Sequence, residues 1–148
     1  MLTAGNNPFE QYKETKIITA NQGKLIVMLY DGAIKFLNIA FDNMDEPRTY
    51  DVANNNIIRA QDIITELIVS LNMEEGGKVA ESLLNLYLYF KRQLLEANMT
   101  KNKHLVTPII NNLKSLRDAW DQVSAIESKT DVNANTNLGY TGRFSAEG

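Results

Sequence analysis

The chain has 148 residues, a formal net charge of −3 and no cysteine. That length suits one domain that can bury a core of its own without metals or disulfides. The acidic balance argues against a broad basic surface for nucleic acid or anionic lipid, and the missing cysteines exclude a disulfide framework and thiolate metal sites and suit a reducing compartment.

The first residues, MLTAGNNPFEQYKETK, mix polar and charged side chains, with no basic stretch leading into an apolar one. No cleaved export signal is expected from such a stretch, and the reading is cytoplasmic. Asn7-Pro8-Phe9-Glu10 sets a capping residue, a proline at the first helical position and an acid in order, which predicts a short helix carrying Phe9 and Tyr12. Residues 1–20 are read as an amino-terminal arm.

A long helix is predicted from Asn21 to about Asn43. On a 100° wheel Lys24, Asp31, Lys35, Asn38 and Asp42 share one narrow stripe, and the remainder is almost all apolar. After a polar break, Thr49 or Asp51 can cap a second helix, whose Ile57, Ala60, Ile64, Leu67 and Leu71 recur three and four residues apart. The EEGG segment, Glu74 to Gly77, reads as its end. Val79, Leu83, Leu86, Phe90 and Leu94 then mark the seam of a third helix, with Leu84, Tyr87, Leu88 and Leu95 widening its apolar face. A fourth helix carries Ile109, Leu113, Leu116, Trp120 and Val123, and begins either at Thr107-Pro108 or at Asn102. Residues 128–148 are rich in Asn, Thr, Gly and Ser, and predict a disordered tail.

Four seams of similar length joined by short polar breaks describe an all-α fold, an antiparallel up-and-down four-helix bundle over residues 21–127. No apolar run approaches the roughly 20 residues needed to cross a bilayer, so no membrane insertion is expected.

Chemical motifs are scarce. The single histidine, His104, lies in or beside the third loop and reads as a solvated residue. Glu-x-x-His, phosphate-cradling glycine loops and nucleophile elbows are missing from the sequence, so no catalytic residue, cofactor or metal is expected.

What stands out instead is apolar excess. A bundle helix needs an apolar arc somewhat over 100° wide, whereas the first helix shows about 260°. Exposing even a further ~400 Å² strip would forgo roughly 10 kcal/mol as an upper bound. The cover could be the chain's own arm, a second copy in a homodimer, or a helix of another protein laid in a groove. Within the run LIVMLYDGAIKFL, from Leu25 to Leu37, Gly32 leaves a gap in that surface. A glycine there costs the helix about 1 kcal/mol against alanine, so the gap serves close packing, against either a bundle helix or a partner.

Five stretches in the same order carry a family likeness: YKETKIITA from Tyr12, IVMLYDGAIKFL from Ile26, NNNIIRAQDIITELIVSLN from Asn54, LYLYFKRQLLEAN from Leu86, and LRDAW from Leu116. Together, from about Asn7 to Val123, they resemble the flagellar secretion chaperone FliS family. The resemblance implies a small bundle that binds the carboxy-terminal region of flagellin in the cytoplasm, prevents its premature polymerisation and delivers it to the flagellar type III export apparatus, without cofactor. It implies flagellin as partner, with export-gate components as further candidates, and a monomer or weak homodimer. Tyr12 and Ile17 fall on the family's amino-terminal motif, at the flagellin-binding end, and Leu29, Tyr30 and Gly32 fall on its MLYDG element. Tyr87 completes the candidate flagellin-binding set, although Tyr87 and Tyr89 point to different faces and at most one can be wholly core. Core packing competes with partner contact as the role of Leu29.

Overall fold

A computed structural model describes residues 22–134 in backbone and residues 22–123 in side-chain detail. The chain forms four helices: α1 (Gln22–Phe41), α2 (Tyr50–Val69), α3 (Met73–Thr100) and α4 (Val106–Ala134). Short 3-10 turns, Pro47–Thr49 and Lys103–Leu105, lead into α2 and α4. Residues 1–21, with the expected arm, lie outside the described residues, as do residues 135–148 of the expected tail. The fourth helix continues to Ala134, seven residues past the expected bundle boundary at 127. Its polar composition there is compatible with a helix that runs on by backbone hydrogen bonding.

Cross-helix contacts fix an antiparallel register. Between α1 and α2, Phe36 lies under the Arg59 guanidinium, 5.6 Å from ring centroid to charge, and Gly32 faces Ile63. Between α1 and α4, Asp31 pairs with Arg117 at 2.7 Å. Between α2 and α3, Asn98 donates to Asn54 and Lys91 donates to Thr65, both at 2.7 Å. In each pair one number rises as the other falls, which is the up-and-down topology the loop lengths predicted.

The central element is α1, flanked by α2 and α4. Leu25, Ile26, Leu29, Tyr30, Ala33, Ile34, Leu37 and Ala40 are buried, and the polar stripe Lys24, Asp31, Lys35, Asn38 and Asp42 is exposed as the wheel predicted. At its rims, cationic side chains lie over aromatic ones: Arg59 over Phe36 and Lys103 over Phe41. None of the exposed large apolar side chains belongs to α1. The broad arc is therefore mostly bundle interior, and the exposed apolar surface lies on other helices.

Two boundaries differ from the sequence reading, for local reasons. First, α2 stops at Val69, and Asn72 caps α3 by accepting from the Glu75 amide at 3.0 Å. An Asn cap followed three residues later by an acid starts a helix, and Glu74 and Glu75 suit its positive end. The EEGG segment is thus the first turn of α3, and the glycines form a kink inside it, Gly77 having φ 55° and ψ −133°. Leu71 lies in the connection, and Val79, expected in the seam, is 66% exposed because it follows that kink. Second, Asn102 caps the 3-10 turn by accepting from the His104 amide, and α4 itself starts at Val106. Pro108 then sits in the first turn, where a missing amide hydrogen leaves no gap in the helix.

Candidate functional site

Each candidate residue from the sequence has a definite place. Leu29, Tyr30 and Tyr87 are buried, at 5%, 0% and 2% exposure. The Tyr30 and Tyr87 hydroxyls hydrogen-bond to each other, and their ring centroids lie 6.5 Å apart. Trp120 also hydrogen-bonds to the Tyr30 hydroxyl, so this layer ties α1, α3 and α4 together. Burial pushes the Tyr30 hydroxyl well above the ordinary tyrosine range, with the neighbouring Tyr87 adding to the effect. Burial likewise pushes Tyr87 up to about 12, against a smaller lowering from its bond to Tyr30. Both hydroxyls are neutral, structural groups at physiological pH.

Gly32 is half-buried against a bundle helix, since a Cβ there would meet Ile63 Cδ1 at 3.0 Å. That contact answers which packing its gap serves. Tyr12 and Ile17 lie outside the described residues. Of the two tyrosines on α3, Tyr87 is the core one and Tyr89 the exposed one, with the Arg92 guanidinium 6.0 Å from its ring centroid. Tyr30, Leu29 and Tyr87 face neighbouring helices in this arrangement, so a partner arriving from solvent meets other side chains.

Those side chains lie along the outer edge shared by α2 and α3. Leu84, Leu88, Leu95 and Met99 fall within about 60° of one another on α3 at 100° per residue. Leu84 is half-buried, and Leu88, Leu95 and Met99 are 40%, 56% and 71% exposed. They border Lys91 and Asn98, the residues that bond across to α2. The antiparallel register puts the exposed Ile58 of α2 opposite Leu95, and the exposed Val69 towards Leu84. From Leu84 to Met99 the strip runs roughly 22 Å, four turns of helix.

The strip is legible in the sequence as the residues that widened the third helix beyond its seam, Leu84, Leu88 and Leu95. Ile58, Val69 and Met99 gave a weaker signal, because a single apolar residue off the seam is common on any surface. Its chemistry is that of a docking surface: apolar side chains bordered by Lys91, Asn98 and Thr65, and no converging acid, base or nucleophile. Among the described residues there is no group of three or more His, Asp or Glu that could hold a metal, and no helix long and apolar enough to cross a membrane.

Comparison with known proteins accounts for such a surface. The family model of the flagellar protein FliS matches residues 5–127. The chain is 33% identical over 126 residues to the flagellar secretion chaperone FliS of Bacillus subtilis, covering 83% of this chain and 90% of that protein. It is 34% identical over 122 residues to the flagellar secretion chaperone FliS of Campylobacter jejuni, covering 80% and 91%. With the flagellar secretion chaperone FliS of Salmonella typhimurium it shares 32% over 113 residues, covering 75% and 82%. An all-helical bundle with an apolar outer edge and a match across most of its length makes this chain a member of the FliS family of flagellar proteins.

Proposed function

We propose that the protein is a cytoplasmic export chaperone that holds the carboxy-terminal region of flagellin, prevents its premature polymerisation and delivers it to the flagellar type III export apparatus. The observation that carries this reading is the exposed apolar strip of Ile58, Leu88, Leu95 and Met99 in a chain of this family. A strip about four turns long fits an amphipathic helix presenting apolar residues every three or four positions. A client segment that is disordered alone and folds on the bundle gives up ordering entropy on binding, which moderates affinity and allows release at the export apparatus.

Tyr12 and Ile17, on the amino-terminal arm, are proposed to touch the client as well, and the arm to cover part of the surface before the client arrives. As a tethered competitor it would protect the apolar side chains and weaken client binding by the fraction of time it is docked. Leu29, Tyr30, Gly32 and Tyr87 contribute to the site indirectly, by holding α1, α2 and α3 in register.

Titration with a peptide matching the flagellin carboxy-terminus tests the proposal. The expected result is stoichiometric binding, a gain in helical circular dichroism and a negative heat-capacity change. Leu95→Asp should weaken binding at least tenfold, and a peptide with its apolar residues replaced by serine should not bind. No binding by the native peptide, or equal binding by the serine peptide, removes the client reading. The exposed strip also suits a self-associating bundle, which predicts instead a mass in solution that rises from monomer to dimer with concentration and a Leu95→Asp variant that stays monomeric.

A further inference from the structure

The two halves of α3 are held very differently. From Tyr87 onward, Tyr87, Phe90, Leu94 and Ala97 are all buried to within 2% exposure. The hydrogen bonds that join α3 to its neighbours also fall in this half: Tyr87 with Tyr30, Lys91 with Thr65 and Gln61, and Asn98 with Asn54. Between Met73 and Leu86 only Ala80 is buried; Leu83 and Leu86 reach the core from half-buried positions, and Val79 is 66% exposed.

This upstream half also borders a void. A cavity of about 320 Å³ lies between it and α4, lined by Glu75, Gly76 and Val79 on one side and Ala119, Trp120 and Val123 on the other. The side chains around it lack partners across the gap, so this wall lacks the dispersion contacts that fix a packed helix. At the upstream end, Gly76 and Gly77 allow a backbone break. Gly77 holds a φ, ψ pair that only glycine adopts without strain, and a Cβ on Gly76 would lie 2.7 Å from the Ala80 Cβ.

We propose that residues 73–86 form a strap, hinged at the Gly76-Gly77 kink and anchored at Tyr87, that opens and closes over the cavity beside Trp120 while residues 87–98 stay fixed. The closed strap brings Val79 towards Ala119 and Val123, and the open strap widens the groove between α3 and α4. The device sets how much apolar side chain that groove admits, and it operates in the free protein, whatever the client.

Hydrogen exchange on the full-length free protein reads the strap directly, because local opening sets amide protection segment by segment. Amides of residues 79–86 should exchange at least tenfold faster than those of 88–97. Ala119→Leu, which fills the cavity from the α4 side, should slow exchange in 79–86 at least threefold, leave 88–97 unchanged, and reduce acrylamide quenching of Trp120, the only tryptophan in the chain. Gly77→Ala should instead speed exchange in 79–86 and again leave 88–97 unchanged. Protection in the two halves within threefold of each other overturns the strap, as does an Ala119→Leu variant with unchanged exchange in 79–86. If Gly77→Ala lowers protection along the whole of α3, the helix moves as one unit and the strap is likewise overturned.

Discussion

Helices α1 and α3 are both strongly apolar in sequence, yet they use that property in opposite ways. In α1 the apolar arc is enclosed by α2 and α4, and what remains in water is a single polar stripe. In α3 the buried arc is narrower, and Leu88, Leu95 and Met99 stay in water alongside the charged residues. The difference follows from position. A helix flanked on two sides turns a wide apolar arc into stability, whereas a peripheral helix with the same width leaves part of it for something outside the fold.

If that contrast holds, the largest loss of stability comes from truncating α1. Leu37 is fully buried in the core cluster, and Leu37→Ala removes its contacts and leaves a cavity between helices. The expected loss is about 2 to 5 kcal/mol by denaturant unfolding. A loss under about 1 kcal/mol would mean that α1 is not the central element.

The tyrosine layer tests the junction between the two helices. Tyr30→Phe leaves the Tyr87 hydroxyl without its partner and removes the acceptor for Trp120, at an expected cost of about 1 to 3 kcal/mol. Tyr87→Phe should cost less, because the Tyr30 hydroxyl still accepts from Trp120. The double variant should recover part of the sum, since two apolar rings leave nothing unpaired. The same pair gives the protein a high-pH signature. Unfolded tyrosines ionise near pH 10, whereas burial keeps both protons on in the fold, so the folded state binds more protons above that pH and stability falls. Below pH 10 the contribution is fully present; for Tyr87 it is lost between pH 10 and about 12. The slope expected is about 1.4 kcal/mol per pH unit for each tyrosine, and the double Phe variant should lack it. Equal slopes in the two proteins would mean that the tyrosines are solvated.

On the outside of α3 the expectation reverses. Leu95→Asp, which should disable docking, should change unfolding free energy by no more than about 0.5 kcal/mol, because surface positions away from special features tolerate substitution. A loss of 2 kcal/mol would place Leu95 in the core and move the strip elsewhere.

The contrast between the helices was only half visible beforehand. Periodicity located all four helices and the wet stripe of α1, because those depend on spacing along one element. Which wide face would be covered was not visible, since it depends on which helix lies between two others, a property of the assembled bundle. Hence Tyr30 and Tyr87, conspicuous as aromatics, were candidates for contact with a partner and proved to be core. Gly32 had two readings until Ile63 was found 3.0 Å from where its Cβ would be. The Gly76-Gly77 pair looked like a terminator because glycines break helices in general. The Asn72 cap upstream was the competing signal, and it restarts the helix before the glycines are reached.

The smallest effect belongs to the one ion pair that links α1 to α4. Arg117 donates to Asp31 through Nη1 and to Asp118 through Nε, each at 2.7 Å, and all three side chains are well solvated. An exposed pair gains little in water and orders two long side chains in the process, so the coupling between Arg117 and Asp31 should be about 0.5 kcal/mol or less in a double-mutant cycle. It should vanish near 1 M salt, where the screening length falls to about 3 Å. Asp118 holds the same guanidinium, so Asp31→Ala alone should matter less than Arg117→Ala, which releases both carboxylates. A coupling above about 1.5 kcal/mol that persists in high salt would mean the pair is shielded from water, and would place a further element of the protein over the joint between α1 and α4.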